Sequence, residues 1–215
     1  MGEGFITRKG GGVKVEGVDP NLLYGTSFYD EQIIFNGPQT GSYTVPSGVT
    51  EILVEIWGGG AGSAATGSSL ANFGGGAGGY SKKIIKTNPG DTFSFTAGDK
   101  GERGAGLCNA NAQNGGQSSF SGTDANNNPI NMIANGGLRH SSGGTGGIVS
   151  GGDVNIQGQS RVGLKGGDAA YGGLGVAGVN GQTPGAGGGG RGFGGCSVGR
   201  HGGLGSVRIR RMNIV

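Results

Sequence analysis

The side chains able to bind or react are scattered singly through glycine. Phe73, Tyr171, Arg191, Phe193, Arg200 and His201 are rings or cations that each adjoin a glycine or one another in loop-like sequence. A ring held out by such a loop is a natural contact group for a sugar or a protein surface. Tyr171 is the leading candidate, whereas Phe73 and Phe193 read rather as plugs between glycine strands. Cys108 and Cys196 are the only cysteines and lie far apart, without the near neighbours of a redox or metal motif. Whether they pair is left open. His140 and His201, the only histidines, have no second histidine at ligand spacing, which argues against zinc.

Two motifs imitate chemistry without its surroundings. Gly60-Ala61-Gly62-Ser63-Ala64-Ala65 follows a strand-like run, as a dinucleotide fingerprint does. That fingerprint needs a following helix whose amino terminus holds the pyrophosphate, but Thr66-Gly67-Ser68-Ser69 and Gly74-Gly75-Gly76 follow instead. Gly151-Gly152-Asp153 and Gly166-Gly167-Asp168 hint at calcium-binding repeats, but their separation does not fit a nonapeptide period, and Asx-turns account for both aspartates. With no nucleophile elbow, Walker loop or convergent acid and base, the expectation is a protein that is not an enzyme and has no cofactor or metal.

Glycine makes up 57 of 215 residues, while Ile, Leu, Val and Phe together supply 44. Irregular glycine spacing and only 6 prolines exclude collagen, and glycine at this density excludes long helices. The expected class is all-β: an antiparallel β-sandwich with long glycine-rich loops. From Gly151 to Gly205, 23 of 55 residues are glycine. There the expectation is extended, polyproline-II-like strands packed backbone on backbone, with disorder as the competing reading. Residues 1–102 carry a net charge of −3 and residues 103–215 one of +6. The basic half is suited to an anionic polymer such as a cell-wall phosphate or acidic glycan, unless its arginines serve solubility alone. Neither nucleic-acid binding nor membrane insertion is expected. No apolar run approaches a signal peptide or a membrane span, so folding in a cytoplasm is expected.

The element that positions the rest is Gly48–Trp57, the densest cluster of β-branched and aromatic side chains. Alternation sends Ile52, Val54 and Ile56 to one face and Glu51, Leu53, Glu55 and Trp57 to the other, where two carboxylates are expected to meet water. Further strands are read at 28–35, 42–45, 80–87 and 92–96, and short ones at 118–120 and 130–133. Pro46-Ser47-Gly48 and Asn88-Pro89-Gly90-Asp91 read as turns. The final run, Ser206–Arg210, is expected beside Glu51–Trp57 with Arg208 and Arg210 facing Glu51 and Glu55. Residues 1–24 read as an extended attachment arm and 25–215 as the glycine-rich β-sandwich domain.

Tyr43–Gly60 (YTVPSGVTEILVEIWGGG), then Gly78-Gly79-Tyr80, Pro89-Gly90-Asp91 and Gly205-Ser206-Val207-Arg208-Ile209, resemble the glycine-rich domain of bacteriophage tail-fibre and appendage proteins. The likeness spans about residues 41–210. Gly4–Gly10 resembles the amino termini of phage fibre proteins. The resemblance implies a virion structural protein, often a homotrimer, assembled in the host cytoplasm. Its amino terminus, through Phe5, Ile6, Arg8 and Lys9, would join tail, collar or baseplate proteins, and its loops would meet the host surface. The alternative is a purely architectural neck or capsid decoration protein. A second likeness, to the glycine-rich ectodomains of anaplastic lymphoma kinase-type receptors, lacks their paired cysteines here.

Overall fold

The computed structural model describes residues 6–9, 12–15, 28–63, 73–104, 112–139, 144–190 and 199–213. Among them there is no helix, and the strands are β1 (Ile6–Lys9), β2 (Gly12–Val15), β3 (Phe28–Asn36), β4 (Gln39–Thr44), β5 (Glu51–Trp57), β6 (Tyr80–Lys86), β7 (Thr92–Ala97), β8 (Ser118–Thr123), β9 (Pro129–Ala134), β10 (Val149–Ser150), β11 (Val154–Ile156) and β12 (Ser206–Asn213). β1 and β2 form an antiparallel hairpin. The others form two antiparallel five-stranded sheets, in the orders β10-β9-β8-β7-β4 and β11-β6-β5-β12-β3. The fold is an antiparallel β-sandwich, as the alternation of its strands predicts.

Between the sheets lies one apolar core. Ile52, Val54, Ile56, Val207 and Ile209 come from one sheet, and Phe93, Phe95, Phe120 and Met132 from the other. Phe35 of β3 stacks on Phe95 of β7 with centroids 4.0 Å apart, and Phe93 stacks on Phe120 at 5.1 Å. With so few large side chains in the chain, these rings concentrate the hydrophobic stabilisation in the strands. The two predicted turns close as expected: Gly48 and Gly90 have φ of +81° and +92°, the left-handed value that a type II turn demands at its third residue.

β12 lies antiparallel between β5 and β3, with Arg208 opposite Glu55 and Arg210 opposite Leu53. The expected pairing of the last strand with Glu51–Trp57 is therefore present. The charge match differs in detail: both arginines reach Glu55, at 3.5 Å each, while Glu51 stands opposite Lys86 and Met212. The other face of β5 also departs from expectation. Leu53, Glu55 and Trp57 are buried rather than wet: Ala169 and Ala170 of the glycine-rich half cluster with Trp57 and Tyr80, and Glu55 is met by the Tyr80 hydroxyl and both arginines.

Beyond the strands the chain continues into a lattice of extended segments. Successive N–H groups of Gly58, Gly59, Gly60, Ala61, Gly62 and Ser63 donate to the carbonyls of Gly79, Gly116, Gly203, Gly76, Gln113 and Arg200 at 2.8–3.1 Å. Every third donor thus meets the same neighbouring segment, the signature of a three-residue helical turn of polyproline-II type. Carbonyls of the same stretch accept from Gly137, Gly101, Gly188 and Gly104, so neighbouring segments surround it. The approach is close enough that a Cβ on Gly60 would lie 1.9 Å from the Ala186 carbonyl oxygen, which only glycine permits. Backbone-on-backbone packing was expected in the C-terminal half. It is present there and also runs through Gly58–Ser63 and Gly74–Gly79 of the first half.

Ser118 joins the lattice to the sandwich. Its buried hydroxyl donates to the Trp57 carbonyl at 2.6 Å and accepts from the Gly98 N–H at 2.9 Å, tying the ends of β5, β7 and β8 together.

Candidate contact surfaces

Segments leaving the sheets and segments returning to them alternate, so the lattice has a sheet end and a far end. At the far end the Ser63 N–H meets the Arg200 carbonyl, Gly104 meets Ser63, Leu138 meets Thr145, Arg161 meets Gly144, and Gly190 meets Leu164, all at 2.8–3.1 Å. The described residues flanking most of the chain's longer connections are thereby gathered in one place.

The predicted contact residues separate along this axis. Tyr171 is at the sheet end. Its ring packs edge-to-face with that of Tyr80, centroids 5.2 Å apart, and the Tyr80 centroid lies 5.0 Å from that of Trp57. The Trp57 indole N–H donates to the Ala170 carbonyl at 2.7 Å and so fixes the loop that carries Tyr171. Tyr171 is 76% exposed, and its φ of 49° places a non-glycine residue in the left-handed region, a strain tolerated where surrounding contacts impose it. Beneath it, the Tyr80 hydroxyl donates to Glu55 Oε1 at 2.8 Å. Burial, then the hydrogen bond to Glu55 and its charge, hold the Tyr80 phenol well above its usual range.

Phe73, Arg200 and His201 are at the far end, each held differently. The Arg161 guanidinium stacks on the Phe73 ring 4.0 Å from its centroid, so Phe73 is half-buried against a cation rather than plugging a gap between glycines alone. Arg200 Nε donates to the Gly178 carbonyl at 2.8 Å, and its own N–H donates to Ser63 Oγ at 2.6 Å. His201 Nδ1 lies 2.8 Å from Glu102 Oε2. Arg191, Phe193, Cys108, Cys196 and His140 lie outside the described residues, as does Phe5 of the amino-terminal set. Ile6, Arg8 and Lys9 belong to β1 and stand opposite Val15, Val13 and Gly12 of β2.

Sequence reasoning missed Arg161 and Glu102 as partners of these residues, since neither is near its partner along the chain. It also gave the two aspartates a local role that the structure replaces. Asp153 pairs with Lys83 at 2.8 Å and accepts from the Ile84 N–H. Asp168 accepts from the Gly175 N–H and pairs with Lys165. Both acids pin loop to loop or loop to sheet. The dinucleotide-like stretch Gly60–Ser63 runs through the lattice, its amides committed to backbone carbonyls, so none is free for a phosphate.

A third surface feature lies on the flank of the lattice: a cleft of ≈ 310 Å³ lined by Asn114, Gly115, Gln117, Asn135, Gly136, Leu138, Gly146, Gly147 and Ile148. Its walls are the exposed side chains of Leu138 and Ile148, and Gln117 Nε2 donates to Asn135 Oδ1 across it at 2.8 Å.

No curated protein matches this sequence. A family model described as a glycine-rich domain matches residues 36–212, from the end of β3 to the end of β12, and the chain belongs to that glycine-rich domain family.

Proposed function

We propose that this protein is a bacteriophage virion structural protein, a tail-fibre or collar appendage, that attaches through its amino-terminal segment and turns the far end of its glycine lattice toward the host surface. The observation that carries this reading is the gathering of the described residues that flank the long connections, with the Phe73–Arg161 pair, Arg200 and His201, at one end of a cross-bonded body. Arg103, Arg139, Arg161 and Arg200 belong to that end beside Glu102, a balance suited to an anionic envelope polymer. A homotrimer joined to other virion proteins completes the proposal.

The test is binding of the labelled full chain to cell envelopes from a panel of bacteria. Saturable binding to at least one strain is expected, weakened about tenfold or more by the Phe73→Ala, Arg161→Ala double substitution, a typical loss for a stacked contact pair. Substituting Arg8 and Lys9 should leave envelope binding unchanged while impairing incorporation into particles. A protein that binds no envelope and sits at an internal joint of the assembled particle would instead be architectural. Mass in solution checks the trimer, which a strict monomer at micromolar concentration contradicts.

A further inference from the structure

We propose that the cleft beside Gly136 is a binding site for an extended peptide in the polyproline-II conformation, which would occupy it as one more lattice segment. The segment Asn135–Leu138 contributes to the lining of the cleft. Asn135 and Leu138 donate to Ile148 and Thr145 of one neighbouring segment, and Gly137 donates to Gly59 of another. The third row, at Gly136 and Arg139, is turned to the cleft side. There the Arg139 N–H is met by the side-chain carbonyl of Asn114 at 2.8 Å, a side chain standing where a backbone carbonyl of a further segment would stand. No described group accepts from the Gly136 N–H. Among the described residues this row is therefore the one not met by a backbone segment, with one donor capped by a side chain and the next without a described acceptor.

The lining fits such a chain. Leu138 and Ile148, 46% and 64% exposed, offer apolar walls to pyrrolidine rings or methylene groups. The Gln117–Asn135 bond uses neither Gln117 Oε1, an acceptor, nor Asn135 Nδ2, a donor, on two residues that line the cleft. A polyproline-II chain has no internal hydrogen bonds and repeats every third residue, so its carbonyls come at the period of the row they must meet. The cleft, at ≈ 310 Å³, falls at the small end of the ~300–1,000 Å³ range of ligand sites and is suited to a few residues of such a chain.

Fluorescein-labelled oligoproline titrated with the full chain, read by anisotropy, tests it. Saturable binding is expected, weakened about tenfold or more by Leu138→Asp with Ile148→Asp. Ile34→Asp, on an exposed strand position of the sandwich, should leave it unchanged. In the native protein the amide resonances of Gly136 and Asn135 should shift on adding the peptide, a readout that needs no variant. Absence of saturable binding, binding indifferent to the wall substitutions, or shifts elicited by a cello-oligosaccharide and not by oligoproline would each overturn the proposal.

Discussion

Trp57 and Ala170 are separated by more than half the chain, yet the indole N–H of one holds the carbonyl of the other at 2.7 Å. Through this bond the organising strand sets the loop that projects Tyr171. Trp57→Phe keeps most of the ring but removes the donor. It should cost about 1–2 kcal/mol, the price of one lost buried hydrogen bond. Because Trp57 is the only tryptophan, the urea midpoint is best followed by circular dichroism. An unchanged midpoint would mean that the loop is held by its other contacts.

Glu55 is the acid around which this end of the sheet is charged. It accepts from Tyr80 and stands 3.5 Å from both Arg208 and Arg210, and Arg208 also lies 4.9 Å from the Trp57 ring centroid. Glu55→Gln should destabilise by about 2 kcal/mol, less than the ~3–5 kcal/mol of a fully buried pair because both arginine side chains keep some water. Lys83→Ala, which breaks the shorter but more exposed pair with Asp153, should cost roughly 0–1 kcal/mol. Equal losses for the two, measured in the same denaturant series, would contradict this ranking.

The raised phenol of Tyr80 makes an alkaline prediction. At a pH below about 10 the phenol is protonated in folded and unfolded chains alike, so its contribution is constant. Above that pH the unfolded chain releases the proton first and binds fewer protons than the native state, so stability falls as pH rises, by up to about 1.4 kcal/mol per pH unit. Tyr80→Phe should flatten that alkaline decline while lowering stability at neutral pH through the loss of the Glu55 partner. Parallel slopes for wild type and Tyr80→Phe in urea midpoints across the alkaline range would rule out Tyr80 as the source.

Where side chains alternate, the sequence was readable. Ile52, Val54 and Ile56 against Val207 and Ile209 define the core and the β5–β12 pairing, and Pro-Gly turns mark both corners. The cover over Trp57 was not readable, because it comes from Ala169 and Ala170 in a distant glycine-rich segment whose residues carry almost no hydrophobic signal. β10 and β11 were missed for a related reason: two- and three-residue strands are too short to show a period. In the lattice, identical glycines give no local clue to which carbonyl each amide will choose. The extended character of the segments was legible, but not their neighbours. Tyr171 was singled out by its setting alone, and its strained backbone and ring contacts explain why it is presented. Phe73 and His201 were named without Arg161 and Glu102, the partners that only folding supplies.

If the lattice is held by backbone contact, its glycines and the turn glycines should respond differently to the same added methyl. Gly60→Ala would place a Cβ 1.9 Å from the Ala186 carbonyl oxygen, and Gly202→Ala would place one 1.9 Å from the Gly60 oxygen; both obstacles are backbone atoms fixed by their own hydrogen bonds. No side chain can swing aside, so the cost should exceed the ~1–3 kcal/mol of ordinary overpacking, and poor soluble yield is expected. At Gly48 and Gly90 nothing lies within 4 Å of an added Cβ, and only the left-handed φ opposes the methyl, at about 1–2 kcal/mol. Asparagine, which tolerates that region better, should be milder still at Gly90 but as damaging as alanine or worse at Gly60. Urea midpoints and soluble yields for the set give the comparison. Lattice variants as stable as the turn variants would show that the segments can separate to admit a side chain, and the close-packed account of the glycines would fail.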